Sequence, residues 1–187
     1  MNLTVKDLEV LQRQLQESDR DYQIELQEGN IVVMGPSDIE SSFIGAQFSY
    51  LLKLWVVPRQ LGFVFDSSGG FIMPNTDLRA PDVSYVTRER LPQTKQAWRY
   101  FGQLVPDLVV EIKSQSDRIS VLEKKVRFFL NAGAQVGILI DPDKQIVSIY
   151  RPNSEIIVLS NDDRLTIAEL FPGWEIAVAE LWPPEWD

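Results

Sequence analysis

Leu108-Val109-Val110-Glu111-Ile112-Lys113-Ser114-Gln115-Ser116-Asp117 is the stretch on which the fold turns. Its first six residues read as a strand, with Leu108, Val110 and Ile112 on one face and Val109, Glu111 and Lys113 on the other. Ser114-Gln115-Ser116 interrupts the alternation, and from about Asp117 the apolar residues take up a helical period. Ile119, Val121, Leu122, Val126, Phe128, Phe129, Leu130 and Ala132 centre on one broad arc at about 100° per residue, and Gly133 closes the helix. Gln135–Asp141 and Gln145–Arg151 follow as a hairpin around Pro142-Asp143-Lys144, which Glu155–Leu159 extends. A strand, a helix and further strands in close succession belong to a sheet with helices packed on it.

The rest of the chain fits that frame. Thr4 opens a helix to about Ser18, with Leu8, Leu11 and Leu15 at helical spacing and Asp7 at the capping-box position. Asp21–Gln27 and Asn30–Met34 bracket Glu28-Gly29-Asn30 as a hairpin. Pro36-Ser37 launches a second helix with Ile44, Phe48, Leu51, Leu52 and Trp55 along its stripe, and Pro58 marks its end. Phe63–Phe65, Gly70–Met73 and Asp82–Val86 read as short strands, and Thr87–Val105 as a loop or short helix. Thr166–Leu170 reads as a helical turn in a tail rich in Trp and Pro, residues 160–187. With no repeat and no long linker, the expectation is a single domain, residues 1–187, of the α/β (α+β) class, with a central mixed β-sheet flanked by helices.

Composition narrows the chemistry. The 187 residues include no Cys and no His, which excludes thiolate nucleophiles, Cys- or His-ligated zinc and the Ser-His-Asp triad. Carboxylates, Lys, Arg, Tyr, hydroxyls and an oxygen-ligated metal remain. The formal charge is −9, from 18 basic and 27 acidic residues, which argues against non-specific nucleic-acid binding except through a local basic surface. No apolar run approaches the roughly 20 residues of a membrane span, and residues 1–7 lack a secretory pattern. A cytoplasmic protein is the expectation.

Five positions stand out as candidates. Glu111 and Lys113 project side by side from one strand face, which fits either an exposed surface ion pair or a site. Asp82, after the stiff Pro81, would join Glu111 as a second oxygen ligand for a divalent cation if the two strands are neighbours. Asp107 competes for that part, but it lies about 13 Å from Glu111 along the strand, so one ion cannot take both. Asp107, like Asp143 after Pro142, reads as a turn residue. Lys125 is the charged residue of its turn that points inside the apolar arc, either snorkelling to solvent or meeting a carboxylate or substrate phosphate. Glu40 is in register with Ile44 and Phe48, and Ser37-Asp38-Ile39-Glu40 also spells a capping box with Ser37 as N-cap.

Arg79-Ala80-Pro81-Asp82-Val83-Ser84-Tyr85-Val86, then Pro106-Asp107 running into the opening stretch, then Leu122, Lys125, Asn131-Ala132-Gly133 and Leu139-Ile140-Asp141-Pro142, in that order, closely resemble the Uma2 family. These are small proteins with a restriction-endonuclease-like fold of the PD-(D/E)xK superfamily, abundant in cyanobacteria. The resemblance runs from about Tyr22 to Pro152. It implies a metal-dependent nuclease site in which Asp82 matches the Pro-Asp aspartate, Glu111 the strand glutamate, Lys113 the superfamily lysine and Lys125 the lysine of the following helix. Glu40 matches the acidic residue many members place on the earlier helix.

On that footing Asp82, Glu111 and the backbone carbonyl of Ile112 would bind Mg²⁺ or Mn²⁺, and Lys113 or Lys125 would orient water or stabilise developing charge. Glu40 would contact the metal through water or position the lysine. DNA is the implied partner; Arg79, Arg88, Arg90, Lys95, Arg99, Arg118 and Arg127 fit either a local cationic rim for it or an ordinary mixed surface, and a homodimer is expected by analogy. The alternatives are a non-catalytic scaffold that keeps the fold, and a hydrolase of another phosphate ester.

Overall fold

Hydrophobic spacing and caps fix where the helices begin and end in the structure, a computed structural model that describes residues 2–20 and 22–184. The helices are α1 (Val5–Glu17), α2 (Ile39–Arg59) and α3 (Ile119–Ala132). The strands are β1 (Gln23–Gln27), β2 (Asn30–Met34), β3 (Gly62–Asp66), β4 (Phe71–Ile72), β5 (Leu78–Arg79) and β6 (Val83–Thr87). They continue with β7 (Leu108–Ile112), β8 (Val136–Asp141), β9 (Ile146–Tyr150), β10 (Ile157–Leu159), β11 (Arg164–Thr166) and β12 (Glu175–Ala177). None of the described helices is long and apolar enough to cross a membrane.

The chain forms two compact units, and the smaller is assembled from Met1–Pro36, Ser68–Ala80 and Pro92–Val105. Its sheet runs β2-β1-β5-β4. Thr4 and Asp7 form the capping box at the head of α1, with the Thr4 N–H donating to the Asp7 carboxylate at 2.8 Å. Leu8 buries against Ile24, Leu26 and Leu78. The β1–β2 hairpin turns on Glu28 and Gly29, both at positive φ, the backbone that a tight hairpin needs. Arg79 is buried here, its guanidinium donating to Asp77 at 2.7 Å and lying 3.8 Å from Glu25. It is therefore a core cation and not part of an exposed basic rim.

The larger unit comprises Ser37–Ser67, Pro81–Leu91 and Pro106–Asp187. Its sheet runs β10-β9-β8-β7-β6-β3, with β7 and β8 parallel and every other pair antiparallel. The parallel pair is joined by α3, the crossover that parallel strands require. On one face α2 lays down Ile44, Phe48, Leu52 and Val56, every fourth residue, against Leu108, Val110 and Ile112. On the other face α3 packs Leu122 and Val126 with Leu139 and Tyr150. At Gly137 an added Cβ would lie 2.4 Å from Val126 Cγ1, so glycine is what lets α3 approach β8 this closely. Every residue of β7 is consequently buried.

Three local expectations are corrected. Helix α2 is capped by Asp38 rather than Ser37, the Ser41 N–H donating to Asp38 Oδ1 at 2.8 Å, so the Ser37–Glu40 capping box does not form. Pro58 lies inside the last turn of α2, which ends at Arg59 with Gln60 in the left-handed conformation. Thr166 ends a strand instead of opening a helical turn, because β11 pairs with β12 and the turn comes after it. The segment 160–184 is structural, with Phe171 and Trp174 in the main core beside α2. Trp186 and Asp21 lie outside the described residues.

Candidate metal centre

Strand register decides whether Asp82 and Glu111 can meet. Val83 pairs with Val110, Ser84 with Val109 and Tyr85 with Leu108. Continued by one residue, the same antiparallel register sets Asp82 opposite Glu111, and directly opposed residues share a face of the sheet. That face is the one α3 covers, since Val83 and Tyr85 point the other way into the α2 core. One step further, Ile112 faces Pro81, which has no N–H to continue the ladder. The Ile112 N–H instead donates to Asp82 Oδ2 at 2.7 Å. The carbonyl of Ile112 leaves the strand on that same side, where Pro81 offers it no donor.

Glu111 is 1% exposed. Lys125 reaches it from α3, Nζ lying 3.0 Å from Glu111 Oε2. Of the two readings of Lys125, the side chain meeting a carboxylate is the one observed. An ammonium in hydrogen-bond range keeps a buried carboxylate from being an uncompensated charge. The site-facing position of Lys125 follows from the helical phase that puts Val126 and Leu122 on the sheet and carries residue 125 along the edge of the same arc.

Lys113 goes elsewhere. Its ammonium lies 2.6 Å from Asp143 Oδ2 and 3.3 Å from the Ser114 carbonyl oxygen. The hydrogen bond to Asp143, together with the nearby charges of Asp143, Asp141 and Asp117, raises its pKa above the ordinary lysine value. Asp143, read from the sequence as a turn residue, does occupy the 3₁₀ turn Pro142–Lys144 but also holds this lysine. Glu40 lies in the first turn of α2 and is exposed. Asp107 is a buried hub at the opposite end of β7. It accepts from the Thr87 N–H at 2.8 Å, from Gln135 at 2.9 Å and from the Arg90 guanidinium, so Arg90 too is committed to an internal pair.

Asp38 is a site neighbour that sequence reasoning passed over. One oxygen caps α2 and the other accepts the Gln115 N–H at 2.9 Å, tying the helix to the loop after β7. Those two backbone donors, Ser41 first, hold its pKa below the ordinary 3.8. A depressed carboxyl contributes stability that is present above its unfolded value and lost as pH falls through the folded one. Asp38→Ala is therefore expected to cost about 1 kcal/mol at neutral pH, with the gap to the parent narrowing below about pH 4. Urea titrations at pH 7 and pH 3.5 measure both values, and a gap that stays constant would contradict the assignment.

Among the described residues no group of three or more acidic side chains converges into a ready metal cage. Mg²⁺ does not need one, because it is commonly held by one or two carboxylates and keeps several waters. Asp82, Glu111 and the Ile112 carbonyl are all hard oxygen donors, so the donor set fits Mg²⁺ or Mn²⁺ in a chain without His or Cys.

A mixed sheet crossed by α3 on one side and α2 on the other is a restriction-endonuclease-like, nuclease-type fold. The chain belongs to the Uma2 family, whose model, described as "Putative restriction endonuclease", matches residues 8–179. Among solved structures it is similar to a protein from Anabaena variabilis described as a "putative nuclease belonging to DUF820". The two share 23% identity with a TM-score of 0.75, over 84% of this chain and 88% of that one. No curated protein matches the chain.

Proposed function

We propose that the chain is a metal-dependent nuclease that hydrolyses phosphodiester bonds of nucleic acid. One observation supports the reading: extended by one residue beyond the Val83–Val110 pair, the β6–β7 register would bring Asp82 opposite Glu111, and Lys125 lies 3.0 Å from Glu111. Family membership supports the nuclease class.

Asp82, Glu111 and the Ile112 carbonyl are the groups that would hold Mg²⁺ or Mn²⁺. When bound, such an ion supplies a Lewis acid for a phosphoryl oxygen and lowers the pKa of a coordinated water. Lys125, packed dry against Glu111, keeps a positive charge where negative charge builds up in the transition state. Lys113 is held by Asp143 and serves as a structural or substrate-facing cation, which makes Lys125 the working lysine. Glu40 stays a candidate for water-mediated contact from the head of α2. The partner is DNA or RNA, approached through cations of the larger unit that have no ion pair among the described residues, such as Arg118.

The test is cleavage of DNA and RNA with and without Mn²⁺ in the parent and in Glu111→Gln. Mn²⁺-dependent cleavage that falls about a hundred-fold in the variant is the expected result. Equal activity in both would remove this site. A non-catalytic scaffold, the reading favoured by the charge of −9, predicts no cleavage with any substrate.

A further inference from the structure

Helix α2 is apolar on both of its sides. Ile44, Phe48, Leu52 and Val56 face the sheet and are buried. Ile39, Phe43, Tyr50, Leu54 and Val57 face water instead, at 91%, 39%, 57%, 55% and 63% exposure. At about 100° per residue these five fall within an arc of about 60°, on the side of the helix opposite the buried row. They run from its first turn to its last, so the stripe is about 27 Å long. Ala46, exposed as well, lies along the edge of the stripe near its midpoint and leaves room for a close neighbour. A helix that is hydrophobic all round belongs in an interior. At about 150–250 Å² for a large side chain, the five fractions leave on the order of 600 Å² of mostly apolar surface in water. That reaches the upper end of the largest patch a monomer ordinarily shows.

We propose that this stripe is the interface of a homodimer in which α2 packs against the α2 of a second copy, antiparallel about a two-fold axis. The area favours that occupant. Two copies bring on the order of 1,200 Å² from the stripes alone, the foot of the range for specific, stable interfaces. A two-fold contact needs no second patch, because one self-complementary patch serves both subunits. Charge favours it too. The stripe carries none, and the exposed charges beside it, Glu40 and Lys53, lie on its opposite flanks. With the axis at the middle of the stripe, level with residue 48, the two copies of Lys53 lie about 15 Å apart along the helices and those of Glu40 about 24 Å apart. Neither charge meets its own kind. Antiparallel packing also sets the N-terminal end of each α2 beside the C-terminal end of the other, where the helix dipoles attract. None of the stripe residues belongs to the candidate metal centre, so the dimer and that centre stand or fall separately.

The experiment is analytical ultracentrifugation of the full chain over about 1–100 μM, comparing the parent with Tyr50→Glu, Leu54→Glu and Val158→Glu. Val158 on β10 is 57% exposed, so it takes the same new charge at an equally exposed apolar position away from α2. The parent is expected to sediment at twice the chain mass. A charge placed at a central interface position should weaken the dimer by about thirty-fold or more in Tyr50→Glu and in Leu54→Glu, and Val158→Glu should dimerise as the parent does. Each site faces water in the single chain, a thermal melt shows whether each variant folds, and the two α2 variants stand in for one another. The chain has no Cys, so single introduced thiols read the orientation. A short bismaleimide should join two copies of Ala46→Cys but not of Ile39→Cys, whose thiols antiparallel packing holds about 27 Å apart. A parent that stays monomeric throughout would overturn the proposal and leave the stripe to a different partner. So would dimers that survive both α2 variants, an equal loss in Val158→Glu, or cross-linking at residue 39 in place of residue 46.

Discussion

Lys125→Met is expected to destabilise the fold by about 3–5 kcal/mol, because it leaves the charge of Glu111 buried without the ammonium that faces it. The pair is 3.0 Å apart with side chains 12% and 2% exposed, so water is poorly placed to take over. The double variant Lys125→Met, Glu111→Gln removes both charges and should recover most of the loss. A divalent cation at Glu111 would also supply the missing positive charge, so added Mn²⁺ should raise the melting temperature of Lys125→Met more than that of the parent. Urea unfolding and thermal melts of the parent, Lys125→Met, Glu111→Gln and the double variant, with and without Mn²⁺, measure all of this. A Lys125→Met protein as stable as the parent would mean that the contact is no more than a surface pair.

Phe171→Ala should cost a similar amount, about 3–5 kcal/mol, for an unrelated reason. Phe171 is fully buried, its ring 4.7 Å from that of Tyr85 and 5.9 Å from that of Trp174, both edge-on. Removing it opens a cavity between the C-terminal segment and the β6 strand and loosens Trp174, whose indole N–H donates to the Leu51 carbonyl at 3.4 Å. The damage lies on the α2 face of the sheet, opposite Glu111. The variant should therefore unfold at lower urea with red-shifted tryptophan emission, yet bind Mn²⁺ with parent affinity while folded. Weakened metal binding at temperatures where the variant is fully folded would show that the two faces are coupled.

Much of the site was legible from alternation and helical phase alone. Leu108, Val110 and Ile112 do face one core, and Glu111 does face the other way, because a strand leaves no choice. The inward phase of Lys125 was visible for the same kind of reason. What periodicity does not carry is the partner across space. Glu111 and Lys113 share a face, and nothing local tells that one is sealed under α3 while the other escapes to Asp143 at the sheet end. The seal depends on Gly137 admitting Val126, a contact between elements. The cap of α2 was ambiguous because Ser37 and Asp38 are both good N-caps. The choice falls to Asp38, whose second oxygen takes the N–H of Gln115, 77 residues away in the chain. The candidate cationic rim fails in part for a like reason: Arg79 and Arg90 each found a buried carboxylate that sequence spacing does not reveal.

The smaller unit is threaded through the first part of the chain and gives way for good at Val105. From Pro106 onward one uninterrupted run supplies Glu111, Lys113 and Lys125, while Asp82 and Glu40 come from the interleaved part. Recombination between relatives with a crossover near that junction would transfer the glutamate and its lysine as one cassette and leave the aspartate with the recipient. A chimera made there would be a natural trial of whether the two halves of the centre are interchangeable.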